Sequence, residues 1–286
     1  MVVYLLISFL LLFILATYGF RKGNQNTSDI SVQYIQITNN DQQPATPKSL
    51  SILHLSDLHL ENISISPQEL YNKVVNEKID LIALTGDFLD RKRTIAKLKP
   101  YLEVLERLRP TYGTYAVFGN HDYVLSREPF NRLTRMLEEH GCQTLRNESV
   151  IIQTKQGPIN IIGIDDFSTG RSDLEESYEN VGAGYKLVLT HDPNIVMHMK
   201  DYYFDYLLAG HFHGGQICYP KPYHLVKMGK LVKLNMVKGL HYFHNKPFYI
   251  SEGLGQTGLN IRVGSRPEIT FHKVTIQNNQ EIKLSS

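Results

Sequence analysis

An α/β fold in which two mixed sheets pack together between flanking helices, preceded by a membrane-spanning helix, is the class this sequence predicts, and three observations predict it. Through the first half, short apolar runs alternate with amphipathic stretches: SILHLS then PQELYNKVVNEK, LIALTG then TIAKLKPYLEVLERLR, TYAVFG then EPFNRLTRMLEEH. The second half carries further strand-like runs, SVIIQT, INIIGI, KLVLT, DYLLAG, PFYIS and EITFHKV, with few helical patterns between them, which implies a second sheet. Residues 1 to 20, MVVYLLISFLLLFILATYGF, hold no charged side chain, and about 20 apolar residues are what a helix needs to cross a bilayer core.

Taken in order, the N-terminal run has neither the basic opening nor the small-residue cleavage site of a secretory signal, so it reads as a retained anchor. Arg21 and Lys22 follow it, and the positive-inside rule favours the cytoplasmic side for the rest of a single-pass protein of the cell membrane, with the opposite topology open. Residues 21 to 48, rich in Asn, Gln, Thr, Ser and Pro, read as a linker interrupted by VQYIQI, whose alternation suggests an edge strand. The compact domain is expected over residues 49 to 277, with 278 to 286 as a tail. Within 286 residues, 42% apolar content suits a globular core, and a net charge of +2 gives no footprint for a nucleic-acid partner, so none is expected. Cys142 and Cys218 form neither a disulfide framework nor a CxxC zinc pattern.

Five strand candidates end in the same chemistry. SILHLS runs into Asp57 and His59, LIALTG into Asp87 and Asp90, TYAVFG into Asn120, His121 and Asp122, KLVLT into His191 and Asp192, and DYLLAG into His211 and His213. Functional groups of open α/β sheets gather outside the carboxyl ends of strands. Any one of these tripeptides is an ordinary turn, but their joint occurrence is hard to obtain by chance. Asp57, His59, Asp87, Asn120, His191, His211 and His213 supply seven donors, enough for two divalent ions with Asp87 as a bridge. Oxygen and nitrogen donors without thiolate suit Mn, Zn or Fe.

The ordered series DLH, GDFLD, GNHD, THDP and GHFHGGQ closely resembles the calcineurin-like metallophosphoesterases, and the closing GLGQTGLNIRVGSRPEI is similar to their membrane-associated bacterial branch of the YaeI and YkuE type. The resemblance implies that family's four-layer sandwich and a dinuclear metal-dependent phosphoesterase. It also implies roles: Asp57, His59 and His213 on one ion, Asn120, His191 and His211 on the other, Asp87 bridging, His121 as general acid and Asp90 orienting it.

Substrate recognition is less sharply written. Gly210, Gly214 and Gly215 are expected to let the backbone approach ions and substrate phosphate closely. From Tyr206 to Ser251 there is no Asp or Glu, while Lys221, Lys227, Lys230, Lys233, Lys238 and Lys246 gather among apolar residues. This stretch reads either as a solvated loop or as a rim for anionic lipid headgroups. Arg262 and Arg266 either add phosphate contacts or sit at the surface. The expected substrate is an anionic phosphoester, lipid- or nucleotide-linked, of which a UDP-2,3-diacylglucosamine-type molecule is one case. The alternative is a non-catalytic interaction protein that keeps the fold.

Overall fold

Short runs rich in Val, Ile, Leu and Tyr, continuously buried in the central strands, pair into two six-stranded sheets in the computed structural model, which describes residues 1–38, 49–155 and 157–276. The tail at 278 to 286 and the linker residues 39 to 48 lie outside the described residues. In chain order the strands are β1 (Ser31–Ile37), β2 (Ser49–Leu55), β3 (Leu81–Thr85), β4 (Thr114–Val117) and β5 (Cys142–Thr144). They continue as β6 (Glu148–Thr154), β7 (Gly157–Gly163), β8 (Tyr185–Leu189), β9 (Tyr206–Ala209), β10 (Gly239–Phe243), β11 (Lys246–Ile250) and β12 (Glu268–Thr275). The first sheet has the order β1-β12-β2-β3-β4-β5 and the second β10-β11-β9-β8-β7-β6.

Both sheets are mixed. β2, β3, β4 and β5 run parallel, as do β7, β8, β9 and β11, while β12 opposes β2 and the edge strands β6 and β10 oppose their neighbours. Parallel pairing puts the carboxyl ends of each central group along one edge, and the sheets stack so that both edges face the same end of the molecule, where the DLH, GD and histidine loops meet.

The helices complete four layers. α1 (Val2–Asn26) precedes the domain; α2 (Pro67–Val74), α3 (Ile95–Leu108) and α4 (Arg127–Glu139) cover the first sheet; the short α5 (Leu174–Tyr178) and α6 (Lys230–Lys233) lie by the second. α2 starts where Ser66 and Glu69 form a reciprocal capping box ahead of Pro67. Leu70, Leu98, Leu102, Leu133 and Leu137 on α2 to α4 pack onto Leu53, Leu55, Ile82 and Leu84. Leu50, Ile52, Leu81 and Val117 meet Ile159, Ile161, Leu187, Leu189 and Leu208 between the sheets. Ile195, Met199, Leu231 and Val232 cover the far face of the second sheet.

Every strand and long helix read from the sequence is present. β5 and β10 were not anticipated, because three residues in one case and a loop-like GLHYF in the other carry too little period to stand out. Two boundaries also differ. VQYIQI is the edge of the first sheet, paired in parallel with β12 along its full length, so the fold begins before residue 49. α1 runs past residue 20 to Asn26, and its end is docked: the Arg262 N–H donates to Gly23 O (2.8 Å), Asn24 Nδ2 to Asn260 O (2.8 Å) and Asn26 Nδ2 to Arg262 O (2.9 Å). Residues 21 to 30 are therefore a seated helix end and turn instead of a free linker.

Candidate metal centre

Each predicted donor leaves a parallel strand within a few residues of its last ladder bond. Asp57 and His59 follow β2, Asp87 follows β3, Asn120 and His121 follow β4, His191 follows β8, and His211 and His213 follow β9. The chain must turn sharply there to aim a side chain back over the sheet edge. Asp57, His59, Asp87, His211 and His213 accordingly have φ of 51°, 40°, 54°, 77° and 50°. Such left-handed backbone at non-glycine residues is strained, and it clusters where a fold holds functional groups in place.

Three overlapping groups of donor atoms result: Asp57, His59 and His213; His59, Asp87 and His121; Asp87, His191 and His211. Asp87 joins the two ends, as a bridging residue should, with Oδ2 at 3.1 Å from His191 Nε2 and 3.4 Å from His59 Nε2. His213 Nε2 lies 3.1 Å from His59 Nε2, and His211 Nδ1 lies 3.1 Å from His191 Nε2. Two nitrogens bound to one ion at about 2.0–2.1 Å and at right angles stand about 3 Å apart, so both couples have the spacing of ligands on a common cation. Asn120 Oδ1 is buried with no hydrogen-bond partner, an orphaned acceptor that an ion would satisfy. These residues fit a two-ion centre.

Outer contacts orient these donors. The ring N–H of His191 at Nδ1 donates to Thr85 O (2.8 Å) and that of His213 at Nδ1 to Gly255 O (3.2 Å), leaving Nε2 of each ring directed inward. Asp57 accepts from the Ser56 hydroxyl (2.6 Å) and from the His211 N–H (3.1 Å). Asp122, named among the strand-end groups but given no role by sequence, is fully buried and accepts the N–H groups of Asp87 (2.9 Å), Phe88 (3.0 Å) and Gly119 (2.9 Å). It ties the GDFLD loop to the GNHD loop. Its place in GNHD was visible, but a clamp needs the partner loop to be known. Burial, joined by the charge of Asp87, pushes its carboxyl up to about 8.

Burial and charge oppose each other across the cluster. Burial works against charge on His191, but the Asp87 carboxylate overrides it and holds that imidazole well above the usual range. Burial would raise Asp87, yet His191 and His59 keep it well below the usual carboxylate range. His211 goes the other way, lowered to about 4 by burial and by the charge of His191. In each couple the imidazole beside Asp87, His191 or His59, is shifted up by that carboxylate against the pull of burial, and its partner, His211 or His213, is shifted down by burial and by the neighbouring imidazole.

His121 stands apart from this buried set, with 29% of its side chain exposed, and its Nδ1 lies 3.7 Å from Asp90 Oδ2. A cleft of about 440 Å³ opens over the centre, lined by Asp87, Asn120, His121, His211 and His213 and walled by Phe212, Ile217, Leu225, Met228, Thr257 and Leu259.

The residues expected to bind substrate are placed differently. Arg262 is fully buried and its guanidinium donates to four backbone carbonyls, those of Glu252, Gly253, Gly255 and Arg266, because its strand-side position turns it under the loop 252–255. It braces that loop and does not reach the cleft. Gly214 and Gly215 are also buried off the cleft wall: a Cβ on the first would meet Glu252 Oε2 at 2.2 Å, and on the second Pro222 Cβ at 2.7 Å. Gly210 does allow a close approach, since a Cβ there would meet Asp57 Oδ2 at 2.2 Å. Lys227 and Lys230 are exposed and do not line the cleft, which their segment reaches through His224, Leu225 and Met228 instead. Arg266 is exposed and pairs with Asp29 at 3.2 Å.

Two mixed sheets whose loops converge on a buried cluster of aspartate and histidine define a phosphoric ester hydrolase of the metallophosphoesterase class. The chain belongs to the calcineurin-like phosphoesterase family, whose model matches residues 50–215. It is 67% identical over 253 residues to an uncharacterized metallophosphoesterase, YkoQ of Bacillus subtilis (strain 168), covering 88% of this chain and 93% of that protein. It is 30% identical to phosphodiesterase YaeI of Escherichia coli (strain K12), covering 77% and 80% of the two chains. It is 27% identical to the UDP-2,3-diacylglucosamine pyrophosphatase LpxG of Chlamydia muridarum (strain MoPn / Nigg), covering 77% and 82%. These relatives agree with the bacterial branch to which the closing glycine-rich motif pointed.

Proposed function

We propose that the protein is a dinuclear-metal-dependent phosphodiesterase or pyrophosphatase that hydrolyses a lipid- or nucleotide-linked phosphate at the membrane. The observation that carries this reading is Asp87, shared between the two donor groups with a histidine couple on either side. Asp57, His59 and His213 would hold one ion and Asn120, His191 and His211 the other, with Mn, Zn or Fe suited to the donor set. Two such ions would supply water activated near neutral pH and positive charge for the phosphoryl oxygens.

The remaining steps belong to the chain itself. His121, whose Nδ1 faces Asp90, would give the proton of its Nε2 to the departing oxygen. Its backbone N–H donates to Asp87 Oδ1 (2.8 Å), which fixes the acid relative to the bridging carboxylate. Phe212, Leu225, Met228 and Leu259 exclude water from one side of the cleft and offer apolar contact to the substrate.

Two observations support the membrane setting. α1 is 25 residues long with a mean hydropathy of 2.4 over its most apolar window, enough to cross a bilayer. Its end is seated on residues 260 to 262, next to Thr257 and Leu259 of the cleft wall. The cleft would then open near the bilayer surface. Beside it, exposed Tyr219, Tyr223, Val226 and Leu234 alternate with exposed Lys221, Lys227, Lys230 and Lys233, a composition suited to an anionic lipid interface. LpxG, a relative that acts on a lipid-linked nucleotide, supports the same substrate class.

The full chain in detergent, stripped with chelator and reloaded with Mn, Zn or Fe, is expected to hydrolyse bis(4-nitrophenyl) phosphate faster than 4-nitrophenyl phosphate. Preference for the monoester would overturn the diesterase reading.

A further inference from the structure

We propose that a second, basic pocket beside Asp90 binds an anionic group carried by the leaving half of the substrate; this rests on the phosphodiesterase reading and specifies its substrate. The pocket holds about 550 Å³ and is lined on one side by Arg91, Arg93 and Lys97.

Its position follows from the general acid. His121 lines the metal cleft, whereas Asp90, 3.7 Å from its ring, lines the basic pocket. The loop 257–259 divides the cavities in the same way: Thr257 and Leu259 face the cleft and Gly258 faces the pocket, where its carbonyl accepts from Asn62 Nδ2 (3.2 Å). An acid must stand next to the oxygen that it protonates. Whatever is attached to the leaving oxygen therefore extends past His121 towards Arg91 and Arg93.

The charge of the pocket is free for use. Among the described residues, Arg91, Arg93 and Lys97 have no carboxylate within ion-pair distance. Lys97 Nζ makes one long bond to Leu60 O (3.3 Å). Of the two carboxylates in the lining, Glu61 is taken up by the loop itself, while Asp90 meets His121 through Oδ2 and keeps a buried Oδ1 without a hydrogen-bond partner. Glu61 accepts the N–H groups of Asp90 (3.2 Å) and Arg91 (3.0 Å) and the Thr94 hydroxyl, which shapes the loop 90–94, while Asp90 faces His121. The positive end of α3, beginning at Ile95 behind Thr94, adds to the same field. Guanidinium forks match phosphate and phosphonate oxygens in pairs, so a phosphate on the leaving half is the group this wall fits. A nucleoside monophosphate and a phosphorylated lipid headgroup both offer it.

Two chromogenic esters of the full, metal-loaded chain test this: the ethyl phosphodiesters of 4-hydroxy-3-nitrobenzylphosphonate and of 4-hydroxy-3-nitrobenzyl alcohol, whose phenolic leaving groups differ chiefly in the added anion. The wild type is expected to prefer the phosphonate in kcat/KM by roughly tenfold or more, the scale of one or two charge-assisted hydrogen bonds. The Arg91→Ala/Arg93→Ala variant should bring that ratio close to one, mainly through KM. No preference in the wild type, or an undiminished preference in the variant, overturns the subsite while leaving the phosphodiesterase reading intact. Failure of the wild type to hydrolyse either ester, or bis(4-nitrophenyl) phosphate, would overturn that reading and the subsite with it. In competition against the phosphonate ester, uridine monophosphate and micellar dioleoylphosphatidate represent the two sources. The one whose inhibition weakens in the variant identifies the source, and weakening of neither overturns the proposal.

Discussion

His121 and Asp122 are neighbours with opposite duties, and substitution separates them. His121 is partly exposed at the cleft, where its ring meets His59 edge-on with centroids 4.8 Å apart, and it belongs to neither histidine couple, so His121→Ala should leave metal content near wild type while turnover falls roughly 100- to 10,000-fold on a diester with a poor leaving group. Metal analysis of the purified variant checks the first half, and loss of both ions would make His121 a ligand instead. Asp122 never meets the cleft but accepts three well-formed N–H bonds from the loops that carry Asp87 and Asn120. Asp122→Asn turns an amide N–H towards at least one of those donors, at a cost of roughly 1–3 kcal/mol. Both metal occupancy and Tm should fall, and retention of both would show that the two loops hold themselves. The donors that the fold brings together were legible because carboxylates and imidazoles stand out after apolar runs. Asp122, Ser56 and the buried course of Arg262 were not, since their meaning depends on which distant carbonyl or N–H faces them.

Elements were legible in proportion to their period. LIALTG and TIAKLKPYLEVLERLR announce a strand and a helix by pattern alone, while the three residues of β5 acquire strand geometry only from pairing with β4. The segment before residue 49 shows the difference most clearly. Its polar composition reads as linker around the edge strand that VQYIQI suggests, and Ser31 to Ile37 do pair with Glu268 to Val274 and close the edge of the first sheet. Truncation therefore distinguishes the two descriptions. Removing residues 1 to 28 keeps β1 and should give a folded domain, whereas removing residues 1 to 48 uncovers β12 and exposes a strand edge of seven or more residues. The shorter protein is expected to aggregate on size-exclusion chromatography and to melt at lower temperature. Equal behaviour of the two would mean that β1 is dispensable.

Across the whole molecule, the two sheets meet over a polar seam that apolar patterning gives no reason to expect. His54 on β2 bonds Thr85 Oγ1 (2.8 Å), His272 on β12 bonds the Tyr206 hydroxyl (2.8 Å), and the Tyr249 hydroxyl donates to Glu268 (2.9 Å), all of them buried. Burial pushes His54 down to about 3 and, with help from His54, lowers His272 well below the usual range, so both are neutral. Burial, with the charge of Glu252 adding to it, pushes Glu268 up to about 7. The signs oppose each other. An unfolded chain protonates its histidines below about 6.5 while the folded one does not, so the histidines withdraw stability as pH falls. Glu268 keeps its proton in the fold above the unfolded value of about 4.3, so its contribution is fully present below that pH and is lost as pH rises to about 7. At about 1.4 kcal/mol per pH unit, the loss amounts to roughly 3 kcal/mol. Comparison of the wild type with Glu268→Gln isolates this contribution, because the histidines and the metal ligands titrate in both. In urea unfolding with chelator present, the stability of the wild type relative to the variant should decline by that amount between pH 4.5 and 7.5. A difference that stays constant across this range would mean that Glu268 is ionised in the fold and that the seam tolerates its charge, with Arg262, whose field it feels, as the compensating group.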